Sequence, residues 1–559
     1  MKVVRRYLLI WTCLILSTGL SSAQVSKIAP DLLNLISGLL QPVNVIVQYN
    51  NTPGLLDLAK ILSLGGTINL QFTSIPGIAA TLPPTVVSVL ALDPSVAYIS
   101  PDRQLIGTVD LTTASANGEF LYQSGFTGAG IGIAIIDSGI YAHPDVASRV
   151  LYRQSFVPAT TSDDYGHGTH VAGIAAGSGA SSTGSQFTQT FRGVAPAANL
   201  IDLRVLDAKG MSNDSAVVAA IDKAISLKSK YNIRVINLSL GRPIRESYNL
   251  DPICNAVASA WKKGIVVVVA AGNLGRNGYS TILSPGNSPY AITVGAMKPK
   301  DTAGRSDDEI ASYSSKGPSW IDFEVKPDIV APGNLIGSLL SPNSTLAKAY
   351  PGNILSPSAY MSPGYSAPPA YMKLSGTSMA APVVSGAAAI LLQREPGLTP
   401  DTVKARLMKT ASKTFPLASF AVEPTTGAVY PSTYDIFTIG AGYLDLTAAI
   451  NNHDTAQGLA LSPSVLWSPL LGTAVLVKPF SSTWDNSTWS LNNVWGTQVI
   501  QAGSAAWGDS AAWGDATAWG SSAAWGDSSR WGTSAAWGDS AAWGDSAAWG
   551  SSINGTSER

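Results

Sequence analysis

A serine, a histidine and an aspartate stand in this sequence where each could take part in nucleophilic catalysis. Ser378 lies in the segment GTSMAAP, at the start of an apolar stretch that predicts a helix. A serine hydroxyl becomes a useful nucleophile only when a base removes its proton and donors stabilise the oxyanion that its attack creates. The unpaired N–H groups of a helix N-terminus can supply such donors. The sequence must therefore be searched for a base and for a group that orients it.

Candidates for both groups lie upstream. His167 begins the segment HGTHVAG, in which a glycine-rich turn opens into a helix of small residues. Asp137 directly follows the apolar run GIGIAII at residues 130–136, which is typical of a buried parallel strand. In open α/β sheets the carboxyl ends of the parallel strands border the ligand crevice. The chain order Asp, His, Ser is one of the orders in which serine hydrolases present a catalytic triad.

An oxyanion donor is also available. A second apolar run, residues 264–271, ends just before Asn273. The side-chain amide of Asn273 could donate to the developing oxyanion together with the backbone N–H of Ser378. Each feature alone has a simpler explanation, since Ser and Thr cap helices and Asp often ends a strand. Their joint occurrence favours catalysis.

The other polar residues near these segments are weaker candidates. Asp163 and Asp164 are closer in sequence to His167, but they fall in a polar loop. His143 is typical of a turn. A catalytic metal held by His167, His170 and Asp163 is disfavoured, because the chain has no His-Glu-x-x-His helix and almost no cysteine.

Several segments recur in the order of a known family. They are DSG at residues 137–139, HGTHVAG at 167–173, RGVAP at 192–196, VINLSLG at 235–241, AGN at 271–273 and GTSMAAP at 376–382. Together they resemble the signature segments of the subtilisin-like serine proteases, over roughly residues 108–450. The resemblance implies an α/β fold of three layers around a mostly parallel central sheet. It also implies a peptidase domain at residues 108–453.

The resemblance assigns a role to each candidate. Asp137 would orient the imidazole of His167, and His167 would act first as general base and then as general acid. Ser378 would be the nucleophile and Asn273 the oxyanion donor. His170 would pack one helical turn after the catalytic histidine.

By the same resemblance, two short segments would flank an extended polypeptide substrate and pair with its backbone. The segment that lines the primary specificity pocket would be Ser239, Leu240 and Gly241. The segment on the other side of the substrate would be Lys209, Gly210 and Met211. The side-chain preference is left open, because the pocket walls come from several loops.

The implied chemistry requires no cofactor. Many family members bind structural calcium, and Asp145 resembles one ligand position. The loop at residues 177–192 lacks the Asn-rich pattern of the family's tight site. Structural calcium therefore stays open, with its ligands undetermined.

The N-terminus predicts export. Residues 1–23 combine a basic start, a short apolar stretch and small residues that suit a signal peptidase. A membrane anchor would need about 20 apolar residues. Cys254 is the one cysteine left after removal of this segment, and we expect a buried thiol. A net charge of −1 with 13% charged residues gives no sign of a nucleic-acid or membrane partner. We expect a secreted, extracellular monomer.

A small domain precedes the peptidase domain, at residues 24–107. Its predicted elements follow the order β-α-β-β-α-β, the ferredoxin-like pattern, at residues 43–49, 54–64, 67–73, 77–82, 84–92 and 96–100. This domain resembles the family's inhibitory propeptide, which would act as an intramolecular partner. An ordinary accessory domain is the alternative. The maturation cut should fall between Ser100 and Ala116.

Three further segments depart from the smallest family members. Residues 341–373 are rich in Pro, Ser and Tyr, and either shape the cleft or form a solvated insertion. Residues 454–502 predict a connector or a small β-rich appendage. Residues 503–550 repeat AAWGDS and close variants, with tryptophan every six residues. This tail is either a low-complexity segment or a repetitive binding segment whose tryptophans contact cell-wall glycan or another surface.

Two rival functions remain. One is a protease-derived binding scaffold without activity, although no member of the triad is missing. The other keeps the acyl-enzyme chemistry but hydrolyses esters or transfers peptides. The prediction is a secreted serine endopeptidase that processes itself from a proenzyme.

Overall fold

The computed structural model describes residues 27–36, 41–107, 125–158, 163–300, 305–423, 426–468 and 473–496. The predicted signal peptide and hexapeptide repeats lie outside these residues. The chain divides into two compact units, Met1–Gln71 with Pro76–Pro101, and Phe72–Ile75 with Asp102–Arg559.

The first unit has the element order expected from the sequence, after a short N-terminal helix. Its strands are β1 Val43–Tyr49, β2 Thr67–Gln71, β3 Gly77–Leu82 and β4 Val96–Pro101. Its helices are α1 Pro30–Ile36, α2 Leu55–Ser63 and α3 Pro84–Ala91. The strands form a sheet in the order β2-β3-β1-β4. All three neighbouring strand pairs are antiparallel. This is the ferredoxin-like arrangement.

The second unit is built on a mostly parallel sheet. Its strands are β6 Gly132–Asp137, β7 Val150–Ser155, β8 Asn199–Arg204, β10 Ile233–Leu238, β12 Val266–Ala270, β13 Ile292–Lys298, β14 Glu309–Ile310 and β15 Ile329–Pro332. Among the described residues their order is β14-β13-β12-β10-β6-β8-β7, with β15 also beside β13. Only β14 pairs antiparallel. Strands such as VVVVA in β12 are wholly buried, as expected for a parallel sheet covered on both faces.

Helices cover this sheet. The long ones are α4 His167–Ala176, α5 Asp214–Tyr231, α6 Pro252–Lys262, α8 Thr377–Arg394 and α9 Pro400–Thr410. Helix α8 packs against α4 and against strands β10, β12 and β13, whereas α5 packs against α6 and strands β6, β8 and β10. Helix α8 is buried along almost its whole length, because small residues such as Ala and Gly allow close approach.

Shorter elements complete the second unit. The strands are β5 Gln104–Gly107, β9 Met211–Asn213, β11 Leu240–Gly241, β16 Ile336–Leu339, β17 Tyr371–Leu374, β18 Ala418–Val422, β19 Val429–Thr433, β20 Ser464–Ser468 and β21 Thr473–Val477. The helices are α7 Thr345–Ala349, α10 Ile436–Ile439, α11 Leu446–Asn451 and α12 Leu491–Trp495. Every helix within the described ranges is too short or too polar to cross a lipid bilayer.

The residues after 453 share a core with the residues before them. Trp484, Trp489 and Trp495 are each about 1% exposed and lie in one hydrophobic cluster with Val325 and Phe437. The described part of residues 454–502, predicted as a connector or small β-rich appendage, contains the hairpin of β20 and β21 and buries Trp484, Trp489 and Trp495 in this core. These three large aromatic side chains are buried against apolar residues of the same unit that precede residue 453.

The segment at residues 341–373 is packed in part rather than fully solvated. Leu346 and Tyr360 are about 2% and 1% exposed. The Tyr360 ring is stacked on Phe187 and meets Phe191 and Tyr371 edge to face. The alternative of a solvated insertion does not hold for these residues.

Candidate active site

Asp137 and His167 meet at the carboxyl end of strand β6. Asp137 is the last residue of β6, and His167 is the first residue of helix α4. Nδ1 of His167 lies 2.7 Å from Oδ1 of Asp137, and both side chains are fully buried. Because an ionised carboxylate can only accept, Nδ1 carries the hydrogen of this bond. The neutral imidazole then has its lone pair on Nε2, which is the atom that can act as a base.

Asp163 holds the turn that leads into His167. One of its carboxylate oxygens accepts from the Ser138 hydroxyl and the Gly166 N–H, each at 2.7 Å. The other accepts from the N–H and hydroxyl of Thr169, at 2.8 and 2.6 Å. Burial raises the pKa of Asp163, and these four hydrogen bonds oppose that rise. Asp163 is thus a buried anchor of helix α4, not a solvated loop residue.

Gly168 allows helix α4 to approach the turn after Asp137. A Cβ atom at Gly168 would lie 2.3 Å from the carbonyl oxygen of Gly139. The Gly168 N–H also donates a hydrogen bond to the Ser138 hydroxyl oxygen at 2.8 Å. The close contact between the backbones of Gly168 and Gly139 keeps His167 next to Asp137.

Ser378 is the second residue of helix α8 and is fully buried. Its hydroxyl lies 3.1 Å from the carbonyl oxygen of Ser239. In return, the Ser239 hydroxyl donates to the Ser378 carbonyl oxygen at 2.9 Å. The Asn237 side chain donates through Nδ2 to the Ser239 hydroxyl at 2.9 Å. Its Oδ1 accepts from the Ser385 hydroxyl in α8 at 2.8 Å. The nucleophile turn and the end of strand β10 are therefore held together by several hydrogen bonds.

Asn273 lies beside the same turn. Its Oδ1 accepts from the N–H and the hydroxyl of Thr377, each at 3.0 Å. Since a backbone N–H can only donate, this contact fixes which side-chain atom is the oxygen and leaves Nδ2 as the donor. The Thr377 hydroxyl also accepts from the Gly272 N–H at 3.0 Å. Thr377 thus couples the loop after strand β12 to the start of helix α8.

The two predicted substrate segments flank a strand of the chain itself. Strand β5 lies antiparallel between β11 and β9, with Gly107 opposite Leu240 and Ile106 opposite both Gly241 and Met211. Ser239 directly precedes β11, and Lys209 and Gly210 directly precede β9. Gly210 has φ +76°, and a Cβ there would meet the ring of Tyr165.

Two further histidines, His170 and His143, make buried structural contacts. His170 is fully buried, its Nε2 lies 3.2 Å from the Met372 carbonyl oxygen, and burial lowers its pKa to about 3. Burial also lowers the pKa of His143, whose Nε2 lies 3.0 Å from the Ala370 carbonyl oxygen. Neither side chain is presented as a base.

Asp145, which resembles a calcium-ligand position, accepts hydrogen bonds from several described residues. Its Oδ1 accepts from the Ser181 N–H at 2.8 Å and its Oδ2 from the Tyr371 hydroxyl at 2.9 Å. Its carbonyl oxygen accepts from Arg149. Within the described ranges, the acidic, histidine and cysteine side chains form no group of three suited to a metal.

Comparison with known proteins identifies the chain. The model of the subtilase family matches residues 128–434, more than half of the sequence. The chain belongs to the subtilase family. It is accordingly a serine endopeptidase with a subtilisin-like fold.

Individual relatives agree with this assignment. The chain is 38% identical to serine protease AprX of Bacillus subtilis (strain 168) over 348 residues, which cover 60% of this chain and 74% of that protein. It is 35% identical to subtilisin E of the same strain over 379 residues, 66% of this chain and 84% of the relative. The crystal structure of fervidolysin from Fervidobacterium pennivorans, a keratinolytic enzyme related to subtilisin, matches with a TM-score of 0.55 at 22% identity. That match covers 75% of this subtilase and 62% of the fervidolysin chain, and it shows the fold alone.

Sequence reasoning missed two residues of this site. It dismissed Asp163 as part of a polar loop, although an aspartate four residues before a helix start could have signalled a capping role. Thr377 lies within the recognised GTSMAAP segment, but its contact with Asn273 joins residues 104 positions apart. The contact between Thr377 and Asn273 can be seen only in the folded chain.

Proposed function

We propose that this subtilase is a secreted endopeptidase that cleaves polypeptides through an acyl-enzyme on Ser378. The observation that carries the proposal is the hydrogen bond between His167 and Asp137, which leaves Nε2 of the imidazole as a base. The position of Ser378 in the first turn of helix α8 supports its role as nucleophile. The proposed chemistry uses only these side chains and water, so no cofactor is required.

The proposed reaction has two halves. Nε2 of His167 accepts the proton of the Ser378 hydroxyl while Oγ attacks the peptide carbonyl, and the C=O electron pair moves onto oxygen. Asn273 Nδ2 and the Ser378 N–H donate to that oxyanion. When the oxyanion collapses, the C–N bond breaks and His167 returns the proton to the leaving amine. Water then attacks the ester by the same route, giving the free acid and restoring Ser378.

Asp137 acts on His167 and not on the substrate. Its Oδ1 fixes the imidazole tautomer, and its negative charge stabilises the imidazolium that forms in both halves of the reaction. Oδ2 is buried, and no described residue donates a hydrogen bond to it. The hydrogen bond of the carboxylate is therefore directed to the imidazole through Oδ1.

We further propose that the subtilase is made as an inhibited proenzyme. The pairing of β5 with β9 and β11 is the pairing expected of a substrate, and it supports autoinhibition by the chain's own residues. Gly107 pairs with Leu240, next to the Ser239 carbonyl that contacts the nucleophile. We propose that the maturation cut falls between Gly107 and Asp110, inside the interval expected from the sequence.

A fluorophosphonate probe tests these proposals on the full chain. We expect the probe to label a shortened species, and we expect Ser378→Ala to stay full length and unlabelled. The mass and new N-terminus of the labelled species locate the cut. Release of peptides from casein separates an endopeptidase from an esterase or a peptide transferase. A folded wild-type chain that stays full length and unlabelled would refute the protease mechanism and favour a binding scaffold.

A further inference from the structure

A buried ionic cluster lies beside strand β5. The Arg103 guanidinium makes a two-pronged contact with both carboxylate oxygens of Glu246. Asp214 lies 3.9 Å from Arg103 and makes a two-pronged contact with Arg242, at 2.8 Å for each bond. Arg242 also lies 2.9 Å from Asp251. The Arg103 side chain is 8% exposed and the others are at most 2% exposed.

The charges of this cluster depend on Arg103. Three carboxylates, Asp214, Glu246 and Asp251, face two guanidinium groups, Arg103 and Arg242. Without Arg103, the cluster would lose one of these two guanidinium groups and keep all three carboxylates. A buried carboxylate that loses its partner is costly, because desolvation is no longer offset.

The backbone fixes Arg103 in the substrate-like segment. Its carbonyl oxygen accepts from the Asp214 N–H at 2.8 Å. The preceding Asp102 accepts from the Ser215 N–H at 2.7 Å, at the start of helix α5. Gln104 follows directly and begins β5. Arg103 therefore extends the segment that occupies the cleft by one residue toward its N-terminus.

Maturation would empty this site. The inference rests on the proposed cut between Gly107 and Asp110, which assigns Arg103 to the released segment and Glu246 to the enzyme. We propose that Glu246 and Asp214 then form an acidic subsite that binds a basic substrate side chain, at the position corresponding to Arg103. The subsite favours arginine, whose planar fork matches a carboxylate in two-pronged geometry.

The electrostatics of Glu246 agree with such a subsite. Burial raises the pKa of Glu246, and the positive charges of Arg103 and Arg242 oppose that rise. A substrate arginine would restore the positive charge that the released segment removes. A substrate glutamate at this position would add a fourth carboxylate and be rejected.

Two matched peptides test the subsite on the mature wild-type enzyme. The first is an internally quenched peptide with the chain's own residues 101–112, PDRQLIGTVDLT. The second carries Arg103→Gln and is otherwise identical. We expect kcat/KM to favour the arginine peptide by about tenfold, the effect of one charge-assisted contact. Glu246→Gln should lower this preference to about threefold or less, because the amide keeps the shape of the side chain and loses its charge.

A control variant and a salt series guard against a folding defect. Glu309 lies on the edge strand β14, and its partly exposed carboxylate pairs with Lys300. Glu309→Gln should therefore retain the wild-type preference for the arginine peptide. In the wild type, added salt should reduce kcat/KM for the arginine peptide more than for the glutamine peptide.

The outcomes separate the subsite from the protease mechanism. Casein hydrolysis with equal cleavage of both peptides by the wild type overturns the acidic subsite alone. An unchanged arginine preference in Glu246→Gln also overturns it. A wild-type chain that cleaves neither casein nor either peptide overturns the proposed function, and the subsite with it.

Discussion

Asp163→Asn removes the charge of the buried anchor that holds the His167 turn. The carboxylate accepts four hydrogen bonds, two on each oxygen. An asparagine keeps one oxygen and can retain the contacts with Ser138 and Gly166. Its NH₂ group would face the Thr169 N–H, donor against donor, and that buried N–H would lose its partner.

The expected cost follows from these contacts. A buried donor left without an acceptor costs about 1–3 kcal/mol. Each of the two retained hydrogen bonds weakens by about 1 kcal/mol when its acceptor loses its charge. Relief from burying a charge offsets part of this sum. We expect a loss of about 2–4 kcal/mol in the free energy of unfolding, or about 2–5 °C in Tm for a folded body of roughly 400 residues.

Asp164→Asn is the matched control. Asp164 is the next residue and its side chain is 39% exposed, with Arg204 at 3.1 Å. The Arg204 side chain is buried, but the Asp164 carboxylate is open to solvent and the amide oxygen of the variant can still accept from Arg204, so we expect a smaller loss than for Asp163→Asn. Both variants are best made in the Ser378→Ala chain, which prevents self-digestion, and compared by calorimetry at pH 9.

A Tm for Asp163→Asn within 1 °C of that for Asp164→Asn would refute the reasoning. It would mean that the Asp163 charge contributes nothing to the start of helix α4. In the active chain, Asp163→Asn should also lower kcat, because a displaced turn moves His167 away from Asp137.

Three further predictions follow from other parts of the subtilase. Asn273→Leu should lower kcat on a peptide substrate by about 10²–10³ with little change in KM, a magnitude taken from the corresponding asparagine of subtilisin; an unchanged kcat would exclude an oxyanion role. A stop after His453 removes the buried Trp484 and its neighbours, each worth about 3–5 kcal/mol, and should yield no folded enzyme, whereas a stop after Gly496 should leave Tm unchanged; equal Tm values for both would contradict the shared core. Burial raises the pKa of Glu324 to about 8, so the native state holds a proton that the unfolded state releases, and stability falls as pH rises from about 4.5 to about 8. Glu324→Gln should therefore raise Tm at pH 9 and change it little at pH 5, and equal effects at both pH values would contradict this.

The sequence was informative where local pattern and chemistry coincide. The apolar run before Asp137 predicted strand β6, and the glycine-rich segments predicted the turns at His167 and Ser378. The element order of the first unit was equally readable, because its short apolar runs are separated by Gly, Pro, Asn and Asp residues that are typical of turns.

The rest depends on contacts between distant residues. Trp484 is polar-flanked in sequence and is buried only because Val325 and Phe437 present a matching surface. Arg103 has no local sign of its role, since its partner Glu246 lies 143 residues away. Such pairings arise from the fold and leave no periodic trace.

The shared tryptophan cluster also sets the order of events in the life of the chain. Polypeptides are synthesised from the N-terminus, and the core around Phe437 stays open until Trp495 arrives. A chain that is still emerging can already hold Asp137, His167 and Ser378 and yet lack the packed body that aligns them. We therefore expect the second unit to finish packing, and proteolytic activity to begin, only after residue 495 has been synthesised.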